Sequence, residues 1–419
     1  MAVLDHAKWL LHTKATDVFN VKDFGAKGDG VTDDLAAIHA AVAAAQGGEL
    51  VPGAGVVGAT VYFPPGEYRI SDTIIVDRFS GTFQGSGTGN SPTYSAQPGN
   101  ASVILWNSDD ASPMMDIEDS RAMSIFDLRF EGKDGTKPTY GIEFVNRGGT
   151  AGTNEMMTVE RCYFGRYPQG PQGVNKGDLA AGIGFTGMDA NNDQYRIRNN
   201  EFHYCTTHGI YIPNSQSVWG SIDDCFFSRA GIGIETNADL SVRGCGWASS
   251  GVMDLKVTGT ANVQVLYWSS ENTAQLAEID ANAKLHIKGG NVQCGMVESG
   301  DGVLIDAYPS NRQSLTIEDI VFTGMTVPAS ATIDFGPLSP SYVGRHFLKV
   351  KNCHGIEPAQ LNLLGAYWAA VPESFGIIEW ESFEGSDKFE FRNIMAFKEG
   401  RTVLDLNVWD IVSTQGTVT

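Results

Sequence analysis

Ile222-Asp-Asp-Cys-Phe-Phe227 and Val242-Arg-Gly-Cys-Gly-Trp247 share one frame, with an aliphatic first position, Cys at the fourth and an aromatic at the sixth. Val159-Glu-Arg-Cys-Tyr-Phe164, Ile197-Arg-Asn-Asn-Glu-Phe202 and Val263-Gln-Val-Leu-Tyr-Trp268 fit it on either side. Ile125–Phe130 and Ile317–Phe322 extend it, and Val350–Gly355 departs only at the sixth position. Starts at 197, 222, 242 and 263 give a period of roughly 20 to 25 residues, the mark of a stacked-repeat architecture. A second signature follows the early repeats: Gly141-Ile-Glu-Phe, Gly182-Ile-Gly-Phe, Gly209-Ile-Tyr-Ile and Gly231-Ile-Gly-Ile. Glycine there reads as a turn, and the aliphatic pair as one face of a short strand. Short strands, tight turns and this period predict an all-β parallel β-helix, one rung per repeat. Cys162, Asn200, Cys225 and Cys245 then form one inward ladder, and Phe164, Phe202, Phe227, Trp247 and Trp268 another.

The composition agrees. The chain has 419 residues, 42% of them apolar, enough for a large core. Its 49 glycines are about 12% of the residues, against roughly 7% in an average protein. Twenty-nine Lys and Arg against 49 Asp and Glu leave a charge of −20, which speaks against a nucleic-acid partner. No apolar run is long enough to span a membrane. Six cysteines in a chain of this length, with no CxxC, make neither a disulfide framework nor a zinc site. Residues 1–17 carry no secretion signal, so the expectation is synthesis in the cytoplasm.

Departures from the frame locate function. Residues 131–140, 165–181 and 203–208 leave the regular coil at one corner, and 146–158, 186–195 and 213–220 at another. Between two such walls the outward positions Glu143, Gly184, Tyr211 and Gly233 would form a groove floor suited to a polymer.

Near the N-terminus stands Phe19-Asn-Val-Lys-Asp-Phe-Gly-Ala-Lys-Gly-Asp-Gly-Val-Thr-Asp-Asp34, then an alanine-rich segment. No Gly-Lys-Ser/Thr follows, so its glycines are no phosphate loop. Thr32 or Asp33 reads as the N-cap of a helix over about 33–46 with Leu35, Ile38, Ala41 and Val42 as its apolar stripe. That helix would close the open end of the coil. Val61-Tyr-Phe-Pro-Pro-Gly-Glu-Tyr-Arg-Ile70 reads as two strands about a turn. Residues 18 to 88, ending in Gly81-Thr-Phe-Gln-Gly-Ser-Gly87, resemble the opening of the pectate-lyase-like superfamily, in the branch of phage tailspikes and virion-borne polysaccharide depolymerases. The resemblance implies a right-handed, single-stranded parallel β-helix, often a homotrimer, acting on polysaccharide. It also implies a place in the virion tail, or outside the cell after lysis, beside other tail proteins. Catalytic residues differ between branches, and the opening motif carries none. The polygalacturonase order is missing: Asp223-Asp224 follows His208-Gly209, and Asn-Thr-Asp and Arg-Ile-Lys are absent.

Candidates therefore rest on chemistry. Glycoside hydrolysis needs two carboxyls roughly 5 to 9.5 Å apart, a distance that one or two rungs of about 4.8 Å supply. Asp223, Asp224, Glu235 and Glu143 are the candidate catalytic residues. Glu160, Arg198, Asp223 and Arg243 share the second position, so an outward salt ladder is the competing account of Asp223. Tyr211, Trp219, Tyr167, His208 and Arg198 are the candidate substrate contacts, while His203 reads as a locally bonded turn histidine. Asp189, Asn191 and Asp193 alternate as calcium ligands would, but an Asx-rich turn explains them equally. No other cofactor is expected. A lyase would instead use arginines and lysines such as Arg161, Arg166, Lys176, Arg196 and Arg198.

Beyond about residue 325, Pro328, Pro337, Pro340, Pro358 and Pro372 interrupt the rhythm. Gly376–Trp380, Lys388–Phe391 and Val403–Leu406 read as strands. The expected organisation is a linking segment over 1–17, a β-helix over 18–325, and last coils with a strand-rich cap or trimerisation segment over 326–419. Met253 and Val145 are the apolar outward positions a trimer face would use. Two functions fit: a polysaccharide depolymerase, as hydrolase or lyase, and a non-catalytic virion or glycan-binding spacer.

Overall fold

The computed structural model describes residues 18–46, 57–89, 100–132, 137–146, 154–165, 178–187, 192–293, 305–309, 312–323, 333–335, 345–354, 361–363, 375–384, 387–396 and 411–413. They fall into two compact units, Met1–Tyr204 and Cys205–Thr419. The fold is a parallel β-helix.

In the first unit Val18–Asn20, Val57–Tyr62, Ser80–Gln84, Ser124–Phe126, Thr158–Glu160 and Arg196–Arg198 pair in parallel, rung on rung. A second ladder runs through Ile74–Asp77, Met115–Glu118, Tyr140–Asn146 and Leu179–Gly187. The second unit repeats the plan. One ladder holds Gly220–Asp223, Leu240–Arg243, Asn262–Glu271, Lys284–Gln293, Arg312–Thr323 and Arg345–Cys353. The other holds Cys205–Ile212, Ile232–Thr236, Met253–Val257, Ala277–Ala281, Ile305–Pro309, Ile333–Phe335 and Leu361–Leu363. Phe375–Glu384 and Asp387–Ala396 then pair antiparallel, with Ile411–Ser413 beside them. The strands expected at Gly376–Trp380 and Lys388–Phe391 lie inside that pair; Val403–Leu406 and the five prolines lie outside the described residues.

The chain turns sharply after the second residue of each frame. Asp127, Arg161 and Asn199 in the first unit, and Asp224, Gly244, Tyr267, Gly289, Asp319 and Asn352 in the second, have φ between 50 and 72°. One left-handed residue makes each corner, which is why Gly, Asn and Asp recur there. Inside, the expected ladders form. Cys162, Asn200, Cys225 and Cys245 are buried, and the five described cysteines are free thiols. Asn200 is satisfied there: it donates to the Val159 carbonyl at 2.9 Å and accepts from the Cys162 amide at 2.8 Å. Phe130, Phe164 and Phe202 stack at 5.2 and 4.9 Å, and Phe227 on Trp247 at 5.6 Å.

The opening motif is structural. Asp34 caps a helix, α1, over Leu35–Ala45 by position, but its carboxylate accepts from the Lys27 and Gly28 amides at 2.6 and 2.9 Å. Asp29 bonds the Val31 and Thr32 amides, and Asp33 bonds Ser71 and the Leu35 amide. Neither Thr32 nor Asp33 is the N-cap, because the turn uses them first. Ile38, Ala41, Val42 and Ala45 are the buried stripe, and Leu35 is half-exposed. The helix packs on Val18–Asn20, Val57–Tyr62 and Ile74–Asp77.

Several expectations change. Val242 pairs with Val265, not Val263, so Trp268 stands opposite Cys245 and Ser270 takes the sixth position, while the buried Trp268 ring still meets Trp247 at 4.8 Å, as the aromatic ladder expects. Ile210 pairs with Ile234, so Glu235, not Gly233, lies beside Tyr211. Both slips are of two residues, which leaves the inward and outward sets unchanged and so escapes the alternation pattern. Three of the four signature glycines are not turns: Gly141, Gly182 and Gly209 sit within strands, while Gly231 stands at a bend just before one. A Cβ at Gly141, Gly209 or the strand residue Gly233 would meet Phe164 at 2.7 Å, Phe227 at 2.5 Å and Trp247 at 2.3 Å, so each makes room for a sixth-position ring. One coil later the volumes trade places. Buried Asp254 and Ser270 replace glycine and tryptophan, and Asp254 accepts from Ser250 and Ser270 at 2.6 and 2.5 Å. Residues 205–208 of the expected 203–208 wall are strand. Met253 and Val145 are buried within the chain, so neither offers an exposed face.

Candidate active site

The outward side of the second ladder carries the chemistry. In the first unit Asp116, Glu143 and Gly184 lie in register on neighbouring rungs. The Tyr140 ring lies over Gly184, where a Cβ would meet it at 2.4 Å. Glu143 accepts from the Thr186 hydroxyl at 2.5 Å. Asp116 was missed in the sequence because it precedes the first Gly-Ile signature.

In the second unit the corresponding row runs Tyr211, Glu235, Lys256, Glu278, Asp306 and Asp334. His208 reaches the row from the same strand as Tyr211, just before Gly209. Its Nε2 is 2.9 Å from Glu235 Oε2, and its ring stacks on Tyr211 at 4.5 Å. Lys256 Nζ donates to Glu278 Oε1 at 2.9 Å. These four ionisable side chains are 18 to 27% exposed, sheltered yet reachable. Burial pulls Lys256 down, but the hydrogen bond to Glu278 and the charges of Glu278, Glu235 and Asp280 outweigh it and hold its ammonium above the ordinary range. Burial, then the charge of Glu235, pushes the Tyr211 phenol up against the opposing pull of Lys256. Tyr211 therefore stays protonated at neutral pH, a stacking surface and hydrogen-bond donor rather than a base.

The other candidates stand elsewhere. Asp223 lies on the first ladder, accepting from Arg243 Nε at 2.7 Å and Ser221 at 3.0 Å, so the salt-ladder account holds for it. Asp224 is an exposed corner residue on that ladder. Arg198 is bound to Glu160 at 2.7 Å, and Arg161 to Asp127 at 2.8 Å, which ties up these two cations. His203 is locally bonded: it meets Glu201 at 3.0 Å and stacks on Tyr163 at 4.8 Å, with Arg129 over the far ring at 4.4 Å. Trp219 is 72% exposed in a left-handed corner, a costly setting for a bulky residue. Asp193 pairs in a strand with Glu155. Tyr167, Asp189, Asn191, Arg166 and Lys176 lie outside the described residues.

Lys256 and Glu278 were missed because neither belongs to a repeated signature. Register supplies them, once Glu235 is placed.

Mannuronan C5-epimerase AlgE6 of Azotobacter vinelandii is 60% identical over 53 residues, 13% of this chain and only 5% of that enzyme. The A-module of Azotobacter vinelandii mannuronan C-5 epimerase AlgE4 superposes with a TM-score of 0.48 at 18% identity, over 83% of this chain and 92% of that one. ORF18 of Geobacillus virus E2 superposes with a TM-score of 0.43 at 12% identity, over 94% and 69%. Residues 18–235 match the family described as rhamnogalacturonase A/epimerase, pectate lyase-like; the chain belongs to that family.

Proposed function

We propose that the chain is a polysaccharide depolymerase of the phage tailspike type, a glycoside hydrolase that cleaves a bacterial surface glycan along the outward row of its second unit. The observation that carries this reading is the placement of Glu235 and Glu278. They stand two rungs apart on one row, each with its own partner. Two rungs are roughly 9 to 10 Å, about the spacing at which inverting glycosidases fit a water between their carboxyls. Glu278, paired with Lys256, takes the role of base and draws the proton from that water. The His208–Glu235 pair shares a proton and delivers it to the departing glycosidic oxygen. Tyr211 offers its ring face to a sugar. Glu143, with buried Asp116 on the rung before it, forms the corresponding acidic pair on the first unit.

The charge of the row favours hydrolysis over elimination. Glu235, Glu278 and Asp280 act on a single Lys256, and Asp306 follows on the rung after Glu278, a poor setting for the carboxylate of a uronate. A second reading has one support: Tyr211, His208 and Lys256 together supply the donor, base and cation of a lyase. The non-catalytic alternative is an outcome of the same test. Purified protein is incubated with capsule, lipopolysaccharide and plant polysaccharides. New reducing ends without the ultraviolet absorbance of an unsaturated uronate, and with inverted anomeric configuration, are expected. Absorbance rising together with reducing ends would establish a lyase, and glycan binding without either signal a spacer.

A further inference from the structure

The coils of the second unit carry a third outward face, past the left-handed corner that follows each frame's second residue. Phe226, Gly246, Ser269, Asn291 and Val321 stand in register along it, and the row beside them runs from Ser228 through Glu271 and Gln293 to Thr323. This face is nearly uncharged. Within both rows only Glu271 is ionisable, and the corner residues Asp224, Arg229 and Asp319 stand at the edges. On the same stretch the first ladder presents Asp223, Arg243, Lys288 and Glu318. The second presents Glu235, Lys256, Glu278 and Asp306. A ligand of the third face is therefore selected by stacking and neutral hydrogen bonds rather than by ion pairing.

Its polar groups are available. Ser269, Glu271, Asn291 and Gln293 are exposed, and among the described residues their side chains make no hydrogen bond or ion pair. At one end Phe226 is 39% exposed, and its ring lies over Gly246, where a Cβ would meet two ring carbons at 3.2 and 3.7 Å. A glycine inside a strand weakens it; here the missing side chain lets the ring lie down along the sheet while it stays exposed. A ring followed by hydroxyl, amide and carboxylate groups suits the apolar face and the hydroxyls of a sugar. The rows advance about 4.8 Å per rung, close to the length of one pyranose in an extended chain, so successive sugars meet successive rungs. The apolar side chains Phe226 and Val321 stand at opposite ends of the row, which leaves no apolar centre of the kind a contact between copies needs.

We propose that the face from Phe226 to Asn291 and Gln293 binds an uncharged stretch of polysaccharide laid across the rungs, as a site apart from the acidic row. Phe226, lying over the Gly246 rung, stacks on one sugar. Ser269 and Glu271 bond the hydroxyls of the next, and Asn291 and Gln293 those of the one after. This proposal does not depend on the hydrolytic reading: binding is measured without turnover and on a different face.

The test is affinity electrophoresis of the full chain through dextran, galactomannan and hydroxyethylcellulose as neutral probes and polygalacturonate as the charged one. Retardation by at least one neutral probe is expected, and it should hold as salt is raised. Phe226→Ala should weaken it about threefold to tenfold, and Ser269→Ala/Asn291→Ala about fivefold. Tyr211→Ala, which removes the ring of the acidic row, should bind as the parent does. No retardation by any neutral probe, retardation by polygalacturonate alone, or unchanged binding in folded Phe226→Ala would overturn the proposal. So would loss of binding in Tyr211→Ala, which would place the glycan on the acidic row. A fall in oligomeric mass in Phe226→Ala would overturn it as well, by making the face a contact between copies.

Discussion

Asp223 and Glu235 belong to one coil of the second unit, in Gly220–Asp223 and Ile232–Thr236, and to different ladders of it. Asp223 stands in a ladder of alternating charges and is held by Arg243 and Ser221. Glu235 stands between Tyr211 and Lys256, with a histidine at 2.9 Å and the acids Glu278 and Asp306 on the rungs beyond. A carboxylate paired with a solvated arginine has its interactions made and little left to offer a substrate. One placed among other acids, a proton carrier and an aromatic face is poised for proton transfer. In a β-helix the side on which a residue stands decides which of these it becomes.

Four changes would break or sharpen that contrast. The largest effect is expected from Glu278→Gln, with the hydrolytic rate falling about 10² to 10⁴-fold while the thermal midpoint hardly moves. A loss below about tenfold would remove Glu278 from the reaction.

Next comes Asp254, the buried carboxyl behind the acidic row, raised to about 6 by burial despite the opposing hydroxyls of Ser250, Ser270 and Thr273. Its folded form binds the proton more tightly than the unfolded chain does. Its contribution is therefore complete below about pH 4 and is lost as pH rises through 6, by up to about 3 kcal/mol. Urea unfolding at a series of pH values should show that slope, and Asp254→Asn should flatten it.

Gly233→Ala should cost about 1 to 3 kcal/mol, because the new methyl meets Trp247 and the Asp254 carbonyl at 2.3 and 2.5 Å. Pairing it with Trp247→Phe should recover part of the loss. The smallest effect is expected from Arg243→Ala, less than about 1 kcal/mol by urea unfolding, as for a largely solvated ion pair.

Much of this was legible in the residues. The Ile222 and Val242 frames gave rung, corner and inward ladders, because stacked coils must repeat like side chains in like places. The register past Val242 was not legible. Val263 and Val265 are both buried, so a slip of two keeps every side chain on its proper face. The corner residue would have settled it, but in that coil the usual Gly, Asn or Asp is Tyr267. Gly231-Ile-Gly-Ile hid a similar slip, since it matches Gly209-Ile at two offsets. Glu235 is legible as a candidate carboxyl and His208 as a candidate substrate contact, but their contact needs the correct offset. Lys256 and Glu278 carry no motif at all. Their meaning comes from a neighbour two coils away, which only pairing supplies.

The most direct test of the account is the rate of Glu235→Gln beside that of Asp223→Asn, on a polysaccharide from which the parent protein releases reducing ends. The account predicts a loss of about 10²-fold or more for Glu235→Gln and a rate within about twofold of the parent for Asp223→Asn. Comparable loss in Asp223→Asn, or full activity in Glu235→Gln, would place the chemistry on the other side of the coil and contradict it.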